Sequence, residues 1–240
     1  MPKKSAMTTS EKTAVISAVT VILLIVTACV DRGFLNGREY YYPMALVIIA
    51  AACLPFFVSF EKRRPSAREL VMLACLSALA VASRAAFYAL PTVKPMCAIV
   101  IITAVCLGPQ TGFVCGVLSM FASNFIFGHG PWTPFQMLGM GAVGLVMGLI
   151  FHNRKIVGNR IVLALVGGTV CFGVYGAIVD ISSVLMMTTE FSASQILAIY
   201  ASGASYNISH GITTAVILLL AGQLFIEKIS RIKTKYGLFV

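Results

Sequence analysis

Few side chains in this sequence could do chemistry. Arg84 and Asp180 are charges set inside otherwise apolar runs, and His129 and His210 are two of only three histidines. A charge at membrane depth is costly, so both should face protein or water. Two readings are open for the pair: a structural ion pair between packed helices, or two walls of one polar pocket. The stretch Phe127-Gly-His-Gly-Pro-Trp-Thr-Pro-Phe-Gln136 holds the single Trp and a histidine between two apolar runs. Its Gly and Pro residues dictate a non-helical backbone, and Trp favours a membrane–water boundary. It reads as a lid or rim over a cavity, or equally as an interfacial loop with an anchoring Trp. Catalytic arrangements are absent. There is no HExxH or His/Cys cluster for a metal, no GxSxG, and no Gly-Lys-Ser/Thr loop to cradle a phosphate. Ser209 and His210 adjoin, but helix neighbours point about 100° apart and cannot act together. The seven cysteines all lie in apolar runs without a CxxC, as buried packing residues do.

The elements that must position these groups are membrane helices. The chain is 59% hydrophobic and 11% charged, where soluble domains carry about 25% charged residues. Continuous apolar runs favour helices over a barrel. The expected fold is an all-α integral membrane protein with eight spans: 13–30, 43–60, 69–90, 95–107, 111–127, 134–152, 161–187 and 205–226. The run 95–107 is short for a full span. Residues 188–204 read as a connection carrying a short surface helix at 193–201. The basic start of the first run resembles a leader, but Thr27-Ala28-Cys29 is a weak cleavage site, so the run is kept as a span.

Charge sets the orientation. The N-terminus, 61–68, 152–160 and 227–235 together hold 14 of the 18 Lys and Arg residues, which places both termini in the cytoplasm. The net charge of +10 therefore reflects helix ends and points to no nucleic-acid partner. With that orientation Arg84, Tyr88, Lys94, Asn124, His129, Trp132, Gln136, Asp180, Tyr206, Asn207 and His210 all fall towards the outer face, and the inner halves are almost purely apolar. Small residues make a second pattern. Ala74, Ala78, Ala82 and Ala86 recur every four residues, and Gly112/Gly116 and Gly144/Gly148 repeat that spacing. Such stripes let helices approach closely in lipid. Packing within the chain accounts best for the glycine pairs, and the alanine stripe is equally suited to a partner protein.

Leu73-Ala-Cys-Leu-Ser-Ala-Leu-Ala-Val-Ala-Ser-Arg84, Leu90-Pro-Thr-Val-Lys-Pro95, Gly108-Pro-Gln-Thr-Gly-Phe-Val-Cys-Gly116, Gly130-Pro-Trp-Thr-Pro-Phe-Gln-Met137 and Gly141-x-x-Gly144 together resemble the substrate-binding S components of energy-coupling-factor (ECF) vitamin transporters. The Gly-Pro-Trp-Thr-Pro turn looks most like those associated with cobalamin or its precursors. The resemblance covers about residues 66–230. It implies a six-helix core at 61–240, preceded by a tail and two extra helices at 1–60 whose role does not carry over. It implies substrate capture in an outer cavity, an Ala-x-x-x-Ala contact with a transmembrane coupling subunit through Ala74 and Ala78 or the register of Ala82, and two separate ATPase subunits that hydrolyse ATP.

The expectation is a multi-pass subunit of a prokaryotic plasma membrane that binds a vitamin, with a cobamide as the first choice and a smaller vitamin as the alternative. It needs no cofactor and no metal. In that cavity Trp132 covers or stacks on the ligand, Arg84 and Lys94 meet amide or phosphate oxygens, and Asn124, Gln136 and Asn207 bond polar edges. The rival from another class is an intramembrane hydrolase using His129, His210 and Asp180. A third reading is a structural or chaperone-like subunit with a sealed outer face.

Overall fold

The computed structural model describes residues 41–62, 64–90, 92–153, 155–187 and 192–238. The expected first span, 13–30, lies outside them, and with it the count of eight. Two compact units part between Arg64 and Pro65. The first contributes one described helix, α1 (Tyr41–Lys62), matching the run expected at 43–60.

The second unit contains α2 (Ala67–Ala86), α3 (Met96–Leu107), α4 (Pro109–Phe127), α5 (Thr133–Phe151), α6 (Arg160–Met187) and α7 (Ala193–Tyr236). Among the described residues there is no strand. Five of these helices, all but α3, are long and apolar enough to cross a membrane. Large apolar side chains such as Phe125, Leu165, Leu197 and Leu220 are exposed around them. Patches of that kind are a liability in water and are covered by lipid here.

α3 is the centre of the unit. Its sequence is apolar on every side, and all twelve residues are buried, as an all-round apolar helix requires. The short run is thus an internal pillar: at 1.5 Å per residue it is about 18 Å long, well under a bilayer's hydrocarbon thickness of about 30 Å. Gly108, at φ +101°, turns the chain from α3 directly into α4, a conformation that glycine alone adopts without strain.

α4 and α5 pack back to back through the glycine pairs. A methyl added at Gly116 would meet the Met140 carbonyl, one at Gly144 the Gly112 carbonyl, and one at Gly148 the Pro109 backbone, all within 3 Å. The small-residue spacing here serves close packing inside the chain. The alanine stripe does the opposite: Ala74, Ala78 and Ala82 are exposed on α2, while Leu73, Leu76, Ser77, Ala80 and Arg84 form its buried face.

Three boundaries differ from the sequence reading. α2 ends at Ala86, and residues 87–89 form a turn, because Pro91 disfavours helix at the preceding residue. Residues 193–204 are the beginning of α7, so the separate surface helix at 193–201 and most of the connection at 188–204 are corrected to one 44-residue helix. Ser192 caps it, accepting from the Gln195 amide at 3.3 Å. Ser202 and Ser209 turn their hydroxyls back onto helix carbonyls, so these polar residues continue the helix instead of ending it. Its C-terminus is also later than expected, at Tyr236, where Gly237 takes the left-handed cap conformation.

Two wide turns interrupt the long helices, Cys171–Tyr175 in α6 and Leu218–Gly222 in α7. The basic end of the unit is tied together by polar contacts. His152 Nδ1 donates to the Val105 carbonyl at 2.9 Å, Lys233 Nζ donates to the Cys106 carbonyl at 3.1 Å, and Gln223 donates to the Val157 carbonyl.

Candidate functional site

At the end opposite those basic contacts the helices part around a hollow of about 510 Å³. Its origin lies in helix lengths. α4, with 19 residues, runs about 28 Å from the Gly108 turn, some 10 Å farther than α3. Above Met96 the pillar is missing, and Tyr88, Lys94 and the Gly128–Trp132 turn border the space.

The walls are Arg84 from the last turn of α2, Tyr88 and Lys94 from the following turn, Asn124, Phe127 and Gly128 from the end of α4, Trp132 and Gln136 from the start of α5, and Tyr206 from α7. Gly128 allows the exit from α4: its φ is +93° and its N–H caps the Asn124 carbonyl. The rim is built locally. The Gly130 amide donates to Thr133 Oγ1 at 3.1 Å, and the Gln136 amide donates to the Trp132 carbonyl at 3.0 Å. A methyl at Gly130 would collide with the Trp132 ring, so the indole lies flush on the turn.

Asn124 organises the polar wall. Its Oδ1 accepts from Arg84 Nη1 at 2.9 Å, and its Nδ2 donates to Gln136 Oε1 at 2.9 Å and to Thr133 Oγ1 at 3.2 Å. The guanidinium fixes the orientation of the amide, since only the oxygen can accept from it. Arg84 Nη1 also reaches Ser123 Oγ and the Met120 sulfur. The Phe127 ring is a plate for two cations, with Arg84 Cζ 4.2 Å and Lys94 Nζ 4.7 Å from its centroid, a favourable placement for positive charge. Tyr88 packs beside it at 5.2 Å between centroids. Lys94 lies in the turn, and its pKa is pushed below the ordinary lysine value by burial and then by the charge of Arg84.

Beneath the floor is a second, much smaller void of about 10 Å³, bordered by Met96, Met120, Met140, Tyr175 and His210. It is about the size of one water. The wide turn in α6 ends at Tyr175, whose ring meets the His210 ring edge-on at 5.0 Å. His210 is buried, and neither of its ring nitrogens makes a hydrogen bond among the described residues.

Seven of the eleven residues expected to line or close a cavity surround this one hollow: Arg84, Tyr88, Lys94, Asn124, Trp132, Gln136 and Tyr206. His210 lies under its floor. The other three are elsewhere. His129 packs on Phe121 and Phe125, at 5.3 and 4.7 Å between centroids. Asp180 and Asn207 are engaged with each other at 2.8 Å between α6 and α7. An ion pair between Arg84 and Asp180 is not formed among the described residues: the arginine bonds to α4 and the carboxylate to Asn207. Nor does a hydrogen bond join His129, His210 and Asp180 to one another among the described residues: His129 packs on Phe121 and Phe125, His210 on Tyr175, and Asp180 bonds to Asn207. The sequence marks Phe127 only as the start of the rim stretch, and Met96, Met120, Met140 and Tyr175 escaped the sequence reading, because an aromatic or methionine in an apolar run carries no mark that distinguishes a cavity wall from a lipid-facing side chain.

An apolar multi-helix body with a polar, aromatic-rimmed hollow at one end defines a multi-pass membrane protein built to hold a small molecule. The chain belongs to the ECF-type riboflavin transporter S component family, whose model matches residues 64–225. S components are the substrate-binding subunits of transporters and work with a membrane coupling subunit and ATPases. Two UPF0397 proteins, from Vibrio atlanticus (strain LGP32) and Aliivibrio salmonicida (strain LFI1238), are each 31% identical over 124 residues. The match spans 45% of this chain and 68% and 67% of those relatives. No solved structure matches the chain significantly.

Proposed function

We propose that the hollow captures a vitamin or vitamin precursor from outside the cell, and that a partner module driven by ATP carries it inward. The observation that supports this is the convergence of Arg84, Lys94, Gln136, Tyr206 and the single Trp on one cavity, with Trp132 at its rim. A half-polar hollow between helices, rimmed by aromatic rings, is the general form of a small-molecule site.

Its size bears on the cargo. At about 510 Å³ it falls inside the roughly 300–1,000 Å³ range of sites for drug-sized ligands. This favours the smaller vitamin over a corrinoid, most of whose bulk would remain outside the walls. Riboflavin, the vitamin in the family's name, is of suitable size. In this reading the exposed stripe Ala74, Ala78 and Ala82 is the docking face for the coupling subunit. An apolar groove of about 600 Å³, between Val71, Met72 and Cys75 of α2 and Ile229, Ile232 and Tyr236 of α7, extends that face. The basic end lies in the cytoplasm, as positive charge at helix ends favours.

The test is mass spectrometry of small molecules that stay with the full chain through detergent purification, followed by titration of the Trp132 fluorescence with each candidate. A stoichiometric vitamin that shifts the emission is the expected result. Protein that retains no small molecule, and whose emission responds to no vitamin, would refute the reading.

A further inference from the structure

Taking the hollow as a capture site, its charge is the least explained feature. Arg84 and Lys94 are 8% and 7% exposed, and because both cations lie over the Phe127 ring, their charged groups are at most about 9 Å apart. Every hydrogen bond Arg84 makes goes to a neutral group: Ser123, Asn124 and the Met120 sulfur. Among the described residues no carboxylate lines the hollow. Asp180 is held by Asn207, and Glu69 and Glu227 belong to the opposite end of the unit, in the first turn of α2 and beyond Gln223 in α7.

The geometry of Arg84 is equally informative. All three of its bonds use Nη1. Its Nη2 and Nε keep their N–H groups unpartnered among the described residues, and neither is sealed from solvent. Those two groups form the fork that binds a carboxylate or phosphate through parallel bonds. Asn124 and Ser123 hold the guanidinium by its other side, so the fork is pre-set. Lys94 adds a point charge at the mouth of the same space, and burial and the charge of Arg84 both disfavour its ammonium. Two desolvated cations with no acid beside them among the described residues are unfavourable on their own, and an arriving anion offsets that cost.

We propose that the cargo is an acid, a carboxylate or a phosphate monoester, seated on the Arg84 fork with Lys94 beside it. Its remaining body fills the space between Tyr88, Phe127 and Trp132. A neutral vitamin leaves both cations uncompensated, so neither riboflavin nor an amide-rich corrinoid satisfies the site as well as an acid of similar size.

The experiment uses matched pairs against the full chain in detergent, read by Trp132 fluorescence: pantothenate with pantothenol, biotin with biotinamide, nicotinate with nicotinamide, and flavin mononucleotide with riboflavin. The acid of at least one pair should bind on the order of ten- to a hundredfold more tightly than its neutral partner, the difference expected for charge-assisted hydrogen bonds. The first three pairs test a carboxylate and the last a phosphate. Lys94→Gln should weaken the acid about tenfold more than it weakens the neutral partner. Arg84→Gln risks the fold, since it loosens α2 from α4, so Lys94→Gln carries the test. If in every pair that binds the neutral member binds as tightly as its acid, or if the tightest acid is indifferent to Lys94→Gln, the proposal is overturned while the capture reading stands. Failure of every pair to bind, with no small molecule retained through purification, removes both.

Discussion

Asn124→Asp is the sharpest perturbation of the site, because it changes charge and almost nothing else. The new carboxylate would take the place of an oxygen that already lies 2.9 Å from Arg84 Nη1. It loses the two Nδ2 donors, but both partners can reverse their roles. Thr133 can turn its hydroxyl to donate, and Gln136 can rotate its amide by half a turn so that its NH₂ faces the acid. Two neutral bonds of about 1 kcal/mol each are thus largely replaced, and the bond to Arg84 gains charge assistance. The stability of the empty protein should stay within about 1 kcal/mol of the parent, or rise, since a buried cation acquires its counter-ion. Ligand binding should not survive so well. An acid on the Arg84 fork lies about 6 Å from position 124, and at an effective dielectric of about 20 two unit charges at that distance repel by roughly 3 kcal/mol. That is on the order of a hundredfold in affinity. The assay is paired: thermal unfolding for the empty protein, and Trp132 emission for binding, with the single Trp of the chain as reporter. Intact unfolding with lost acid binding is the expected outcome. Acid binding at parental strength would show that the Arg84 charge is not used, and the reasoning about the hollow's chemistry would fail.

Lys94 should give the site a pH dependence. Its ammonium is disfavoured in the empty fold by burial and by Arg84, so the empty protein gains stability as pH rises from that lowered value towards the ordinary lysine value. An acid cargo favours the ammonium, so its affinity should fall over the same alkaline window, and titrations of Lys94→Gln should lack the slope. His210→Leu should raise the thermal midpoint, because it removes two unpartnered buried nitrogens at a gain of about 1–3 kcal/mol, offset by about 1 kcal/mol for the lost edge contact with Tyr175; a lowered midpoint would mean that an unseen partner satisfies the ring. Gly144→Val should destabilise by about 3 kcal/mol or more, since the added carbons meet the Gly112 backbone, which cannot rotate away, and thermal unfolding measures it. Ala78→Leu, on the exposed stripe, should leave Trp132-monitored binding unchanged and abolish co-purification with the coupling subunit; retained co-purification would move the docking face elsewhere.

The residues differ in how far they could be read without coordinates. Arg84, Lys94, Asn124 and Gln136 were legible because lipid penalises polar groups, so a polar side chain at membrane depth announces a cavity or a partner. The same rule cannot say which polar groups meet. Asp180 obeyed it by pairing with Asn207 across α6 and α7, and that pairing needs the relative rotation of two helices, to which composition is blind. His129 was misled by its neighbours. It shares the Gly-Pro-Trp turn with Trp132, yet after Gly128 the imidazole packs back on Phe121 and Phe125 of the preceding helix α4. The connection expected at 188–204 is helical from Ala193 onward, because hydroxyls such as that of Ser202 bond back to the preceding turn and let the helix run on.

The short central helix links these observations. A twelve-residue apolar run is too short to span a bilayer, and by itself that looked like a defect. Surrounded by helices that do span, the missing turns of α3 become enclosed space, and the enclosed space lies where the chain must turn from α2 into α3. That turn carries Lys94, and the helix before it ends on Arg84. Cavity volume and cavity charge therefore have one cause, the length of α3. Lengthening α3 by one helical turn at Met96 would move its N-terminus about 5 Å into the hollow and should abolish binding of an acid without unfolding the bundle.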